Sequence, residues 1–112
     1  MYTLYGIPNC DTVKKARAYL DKRHLPLSFV DFKKNPPQKT DIERWALAFG
    51  GMPVNTKGST YKKHQVQFEK LSVGEQIKFL IANSSMLKRP ILEKSGKVIA
   101  FGYDEEVFSK LS

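Results

Sequence analysis

The sequence has little of several features that would identify a function directly. It contains one cysteine, Cys10, and two histidines, so an internal disulfide and a metal site built from several cysteines are excluded. No uncharged run approaches the about 20 apolar residues of a transmembrane helix, and the N-terminus lacks the basic region and apolar run of a secretory signal. We therefore expect a cytoplasmic protein that has no membrane partner and no metal site.

Acidic residues are also scarce relative to basic ones. Nineteen Lys and Arg stand against eleven Asp and Glu, a formal net charge of +8, which favours anionic ligands. The lysine pairs have few aromatic residues between them, and no glycine-rich phosphate loop is present, so we expect no nucleic-acid partner. A length of 112 residues, 41% of them hydrophobic, fits one globular domain, which we expect to be a monomer.

The first third of the chain has the pattern of a β-α-β unit. A strand is predicted from Tyr2 to Tyr5, a helix from about Asp11 to His24, and a second strand from Leu27 to Phe32, from hydrophobic spacing and the turn residues between them. Such a unit implies a parallel strand pair with a right-handed crossover.

The middle of the chain is predicted to be helical, with one long loop. Thr40–Glu43 has the form of a capping box before a helix that ends at Gly50, and Ser72–Glu75 repeats the form before a helix to about Asn83. Between them, residues 52–67 are polar and weakly periodic, which predicts a loop with at most one helical turn.

The C-terminal part is predicted to return to strands. Ile91–Leu92 and Val98–Phe101 flank a turn near Ser95–Gly96, and Asp104 is placed to cap a last short helix. The predicted fold class is therefore α/β, one domain over residues 1–112 with a helical insertion at about residues 36–85.

Cys10 is the first candidate for chemistry, because it lies between a strand end and the first turn of a helix. Unpaired backbone N–H groups and the helix dipole favour an anion there, and a thiolate is such an anion. Lys14, one turn further on, adds positive charge, and Thr12 could donate its hydroxyl or its backbone N–H to the sulfur. The alternative is that Cys10 is a small buried hydrophobic residue, and position alone leaves both interpretations open.

Arg89–Pro90 is the second candidate, because it places a guanidinium beside a proline just before a predicted strand. Only about 5–6% of X–Pro bonds are cis, so the dipeptide taken alone favours a trans structural turn.

Four segments together resemble a known family. They are Leu4–Ala16, Asn55–Lys62, Leu87–Leu92 and Gly102–Phe108, and they are similar to the arsenate-reductase-like (ArsC/Spx) family of the thioredoxin superfamily, most of all to its YffB subgroup. The resemblance implies a thioredoxin-like fold (βαβ, then ββα) whose middle helices are the helical insertion of that family.

The resemblance also implies roles for individual residues. Cys10 is expected to be the nucleophile, Pro90 a cis-proline facing it, and Arg89 a neighbour of the sulfur. Glutathione is implied as the co-substrate, without a tightly bound cofactor. Its carboxylates are expected to bind Lys14 and Arg89, with Lys57 as a further candidate, while the backbone flanking Pro90 pairs with the peptide.

The sequence departs from the pattern of the family at several positions. Arsenate reductases resembling ArsC hold the oxyanion with several arginines, whereas Asn55, Lys57 and Gly102–Tyr103 stand here where arginines are expected. Regulators resembling Spx switch through a Cys-x-x-Cys pair, and Val13 occupies the second position here. An intramolecular disulfide switch is therefore excluded.

These observations favour a glutathione-dependent monothiol reductase, in which a Cys10 thiolate forms a mixed disulfide with an unidentified thiol, disulfide or oxyanion substrate. Thr12, Lys14 and Arg89 are predicted to stabilise the thiolate. Two alternatives stay open: an arsenate or other oxyanion reductase, and a non-enzymatic Spx-like adaptor that binds RNA polymerase or another protein.

Overall fold

A computed structural model describes residues 1–111 and divides the chain into two compact units. The first unit holds Met1–Asn35 and the segment from Arg89 onward, and the second holds Pro36–Lys88. The elements in chain order are β1 (Tyr2–Gly6), α1 (Asp11–Lys22), β2 (Leu27–Asp31), α2 (Lys39–Phe49), α3 (Ser59–Glu69), α4 (Val73–Ala82), a 3₁₀ turn (Ser84–Met86), β3 (Ile91–Lys94), β4 (Lys97–Phe101) and α5 (Glu105–Ser109).

A four-stranded mixed sheet forms the framework of the first unit. Its strand order is β2-β1-β3-β4, with β1 and β2 parallel and the other two pairs antiparallel. The β3–β4 turn passes through Ser95 and Gly96, both with positive φ. The predicted α/β class, the parallel β-α-β unit and the C-terminal hairpin are therefore confirmed.

The hydrophobic core of the first unit lies between this sheet and α1 and α5. Leu4, Val13, Leu20 and Phe108 are fully buried in it, and burial of each such side chain stabilises the fold by about 1.5–3 kcal/mol. The approach of α1 to the end of β1 requires a glycine, because a Cβ atom on Gly6 would lie 2.7 Å from a Val13 methyl group. The start of α1 is thereby held close to the end of β1.

The second unit is helical and contains the largest error of the sequence analysis. The segment predicted as a loop over residues 52–67 includes most of α3, Ser59–Glu69. Only Tyr61 and Phe68 of this helix are buried, with ring centroids 6.2 Å apart, so its periodicity was too weak to detect. Within residues 1–111, no helix has the length and apolar character needed to cross a membrane.

Two of the predicted helix N-termini are confirmed by hydrogen bonds between neighbouring residues. Ser72 and Glu75 form the predicted capping box at α4, and the Asp104 carboxylate caps α5 by accepting from the Glu106 N–H at 2.9 Å. The predicted box at Thr40–Glu43 is wrong, because α2 has already begun by then: the Gln38 N–H donates to the Asp41 carboxylate at 2.9 Å.

The predicted end of α1, at His24, is also too late by two residues. The helix stops at Lys22, and His24 adopts a left-handed conformation with φ 56°. A residue in that region cannot continue a right-handed helix.

Candidate active site

Cys10 occupies the N-cap of α1, in an extended conformation with φ −88° and ψ 127°. Its own N–H donates to the Ile7 carbonyl at 3.2 Å, which closes the turn after β1, and its carbonyl accepts the first helical hydrogen bond from the Lys14 N–H at 2.9 Å. The side chain is half-buried. The thiol therefore lies where the free N–H groups of the first helical turn are available to it.

The surroundings of Cys10 lower the pKa of its thiol. Burial is the largest single influence and raises the pKa, but the backbone N–H groups of Val13 and Thr12 and the Arg89 side chain outweigh it. Arg89 acts both as a hydrogen-bond donor and through its charge. The thiol makes no close capping hydrogen bond with the described residues, so the effect of the two N–H groups is on the anionic form, the thiolate.

The sheet brings Arg89 to Cys10. Because β1 and β3 are antiparallel and Tyr5 pairs with Ile91, the chain after β1 and the chain before β3 lie at the same end of the sheet. Arg89 is half-buried, with its Nε atom fully enclosed. The Arg89–Pro90 peptide bond is cis, and the Gly102 N–H donates to the Pro90 carbonyl at 2.7 Å.

The other predicted site residues lie in both units, Thr12 and Lys14 in the first and Lys57 in the second. Thr12 acts through its backbone N–H, one of the two options the sequence left open. The exposed side chain of Lys14 is not among the described groups that lower the thiol pKa. Lys57 lies in an exposed turn of the second unit, closed by the Gly58 N–H donating to the Asn55 carbonyl at 3.0 Å.

Val13 is the contributor that the sequence analysis missed. From the sequence, Val13 is assigned only to the second position of the Cys-x-x-Cys pair. An N-cap side chain accepts from the N–H groups of the second and third helical residues, and with Cys10 at the N-cap these are Thr12 and Val13. The role of Val13 could therefore have been predicted from the sequence by applying the ordinary N-cap rule to a cysteine.

A comparison with protein families settles what kind of protein carries this site. The ArsC family profile matches residues 5–111. The chain belongs to the ArsC family. Its relatives include the global transcriptional regulator Spx 2 of Lactococcus lactis, 28% identical over 95% of this chain and 82% of the relative. An uncharacterised protein of Haemophilus influenzae is 29% identical over 96% of each chain.

Solved structures of the ArsC family have the same fold. A protein named YffB superposes with a TM-score of 0.84 at 32% identity, covering 97% of this chain and 96% of its own. A protein described as a possible arsenate reductase from Streptococcus mutans gives 0.76 at 33% identity, with 92% and 91% covered. The thioredoxin-like fold and the resemblance to the ArsC/Spx family, YffB included, are thus confirmed, and the chain is arsenate-reductase-like or Spx-like.

Proposed function

We propose that this ArsC-family protein is a glutathione-dependent monothiol reductase of the cytoplasm. The observation that carries the proposal is the position of its only thiol: Cys10 lies at the N-cap of α1 beside the Arg89 guanidinium, and these surroundings lower its pKa. A thiol with a lowered pKa at a helix N-terminus is a nucleophile at neutral pH. A structural cysteine, the alternative interpretation, requires neither a cation nor the backbone N–H groups of a helix N-terminus beside its sulfur.

The reaction consists of successive thiol–disulfide exchanges. The Cys10 thiolate attacks one sulfur of a substrate disulfide, the Cys10–substrate bond forms, and the second sulfur leaves as a thiolate. A glutathione thiolate then attacks the substrate sulfur of this mixed disulfide, which releases Cys10 as a thiolate and leaves a substrate–glutathione disulfide. A second glutathione attacks that disulfide, so the net change is one substrate disulfide reduced to two thiols and two glutathione molecules oxidised to one glutathione disulfide. The chain holds no second cysteine, so an external thiol must perform the second step.

Residues around Cys10 have separable roles in this scheme. The N–H groups of Thr12 and Val13 and the Arg89 guanidinium stabilise the thiolate both as the attacking group and as the leaving group. Lys14, Arg89 and Lys57 are proposed to receive the carboxylates of glutathione, and the backbone flanking Pro90 to pair with its peptide groups. None of these steps requires a bound cofactor.

The test is formation and turnover of a Cys10–glutathione mixed disulfide. The protein is mixed with glutathione disulfide, and mass spectrometry measures the fraction that carries one glutathione. Glutathione is then added, and recovery of the free thiol is followed with time. We expect complete loading and recovery in the wild type and none in Cys10→Ser. Turnover in Cys10→Ser equal to the wild type would contradict the mechanism.

Arsenate reduction is the second candidate, favoured by the similarity to a possible arsenate reductase of Streptococcus mutans. Against it stand Asn55, Lys57 and Gly102–Tyr103 at the positions where arginines were expected. Oxidation of glutathione that depends on added arsenate would identify this activity. Turnover of disulfides without any response to arsenate favours the reductase proposed above.

A regulatory adaptor is the third candidate, favoured by the similarity to the Spx 2 regulator. The adaptor is proposed to bind RNA polymerase or another protein through its basic surface. Such binding requires neither the thiolate nor Arg89. A partner that is retained by Cys10→Ser but lost when surface lysines are reversed to glutamate would support the adaptor.

A further inference from the structure

A surface groove lies beside α1 in the first unit, distinct from the residues assigned above. Its volume is about 490 Å³. One wall is the exposed face of α1, and the other is formed by Tyr103, which follows β4, and Glu105, the first residue of α5. The lining residues are Lys15, Ala18, Tyr19, Lys22, Tyr103 and Glu105.

Both walls of the groove belong to segments that start at the reactive end of the unit. On α1, Lys15, Ala18 and Lys22 share a face with Asp11, because helical residues three and four apart align, and Asp11 directly follows Cys10. On the other wall, Tyr103 follows Gly102, whose N–H is bonded to the Pro90 carbonyl at 2.7 Å. From the 1.5 Å helical rise per residue, Lys15 lies about 7.5 Å and Lys22 about 18 Å along the helix axis from Cys10.

The groove combines an aromatic wall with positive charge. The rings of Tyr19 and Tyr103 meet edge-to-face with centroids 6.1 Å apart. Lys15 and Lys22 are exposed, and neither forms an ion pair with any of residues 1–111. Glu105 supplies negative charge at the opposite wall, and burial together with this carboxylate raises the pKa of Tyr103. The α1 side is therefore the side that complements carboxylates.

We propose that this groove is the docking site for an acidic segment of a disulfide-bearing protein, which extends from the sulfur attacked by Cys10 along α1 to Lys22. The proposal rests on the reductase function proposed above and specifies the substrate class of the same site. Carboxylates of the segment approach Lys15 and Lys22, and its apolar side chains pack on the two tyrosine rings. Glu105 limits the acidic segment to the α1 side.

The length of the groove favours a protein segment over glutathione alone. An extended chain spans at most about 3.3–3.6 Å per residue, so a tripeptide linked through its central residue reaches only a few ångströms to either side of the disulfide. Lys22, about 18 Å from Cys10 along the helix axis, is beyond that reach. A segment of about five residues on one side of the attacked cysteine is needed to extend along the groove.

The experiment compares two peptide disulfides of equal length. Each carries one cysteine activated as a 2-thiopyridyl disulfide, followed by five residues rich in glutamate in one peptide and in lysine in the other. Attack by the Cys10 thiolate forms the Cys10–peptide disulfide and releases pyridine-2-thione, whose absorbance gives the rate. Each rate is divided by the rate of the same protein with neutral 2,2′-dithiodipyridine. This ratio corrects for any change in the intrinsic reactivity of the Cys10 thiol.

We expect the acidic peptide to react faster than the basic one. In the Lys15→Gln/Lys22→Gln double variant this preference should fall about tenfold, since one exposed ion pair is worth about threefold. Glu105→Gln should increase the preference. The matched control is Lys97→Gln/Lys94→Gln in the β3–β4 hairpin, which removes the same charge outside the groove lining and should leave the preference unchanged.

Two different results would overturn the proposal, and they are distinguishable. If 2,2′-dithiodipyridine reacts fast but the peptide preference is equal in the wild type, the double variant and the control, the groove is not the docking site while the reductase function stands. If the small probe reacts no faster than with a free cysteine, the reductase function fails, and the docking proposal fails with it. Circular dichroism spectra of the variants check that the surface substitutions leave the fold intact.

Discussion

Two helices of this protein begin with the same backbone geometry and use it differently. Cys10 before α1 and Ser72 before α4 both have extended N-cap conformations. At α4 the Ser72 hydroxyl accepts from the Glu75 N–H at 3.3 Å, and the Ser72 N–H donates to the Glu75 carboxylate at 3.2 Å. At α1 the N–H groups of Thr12 and Val13 lie next to the Cys10 sulfur, and they lower the pKa of the thiol.

The comparison shows that one structural position can supply either stability or reactivity. A capping box satisfies donors that would otherwise be exposed and stabilises the helix. A cysteine thiol at the N-cap is a weaker hydrogen-bond acceptor than a serine hydroxyl, so it stabilises α1 less. The same N–H groups stabilise the thiolate form of Cys10. The Ser72 N–H and hydroxyl lower the pKa of Glu75 in the same way as the α1 donors act on Cys10. The two helix ends differ in the chemistry of the side chain that accepts these hydrogen bonds.

The largest expected effect comes from exchanging the sulfur for oxygen. Cys10→Ser should abolish mixed-disulfide formation and turnover, because no other thiol is present. Because serine is a preferred N-cap residue, the free energy of unfolding in urea should be equal to or greater than that of the wild type. A variant less stable than the wild type would show that Cys10 stabilises the fold as a buried hydrophobic residue.

The next effect separates the charge of Arg89 from its hydrogen bond. The rate of Cys10 alkylation against pH should have a midpoint below the free-thiol value of about 8.5, and Arg89→Ala should raise it. The thiolate forms as pH rises through the pKa, so at a pH below the pKa each unit of increase in the pKa lowers the thiolate fraction about tenfold. Arg89→Lys keeps the charge and should give an intermediate midpoint. If Arg89→Ala has the same midpoint as the wild type, Arg89 does not stabilise the thiolate.

At the other helix we expect a smaller effect, on stability alone. Ser72→Ala should lower the free energy of unfolding by about 1 kcal/mol, the usual cost of losing an N-cap side chain. Ser72→Asp retains a capping oxygen and serves as the control. The alkylation midpoint of Cys10 should be the same in all three proteins, and a shifted midpoint would contradict the division of roles between the two helix ends.

Lys14→Ala should give the smallest effect. The Lys14 side chain is exposed and is not among the described groups that lower the thiol pKa, and solvent screens such a charge. We expect less than a twofold change in the alkylation rate at neutral pH. A change as large as that of Arg89→Ala would restore the role that the sequence predicted for Lys14 as a thiolate-stabilising residue.

The predictions that succeeded from sequence depend on neighbouring residues. The caps at Ser72 and Asp104 and the turn at Ser95–Gly96 are set by hydrogen bonds and backbone preferences within a few positions. The failure to predict α3 has a different cause. Most of the surface of α3 is polar, and only Tyr61 and Phe68 are buried, so tertiary packing rather than periodicity stabilises that helix.

The sequence by itself determined that the one thiol lies at the start of a helix. Cys10 follows a predicted strand and turn, and it precedes a segment whose hydrophobic residues recur at helical spacing. Only the tertiary structure decided which groups surround that thiol. Arg89 reaches Cys10 because β1 and β3 pair antiparallel, with Tyr5 opposite Ile91. Local hydrogen bonding is encoded within a few residues, whereas residues far apart in the chain meet only through strand pairing and core packing.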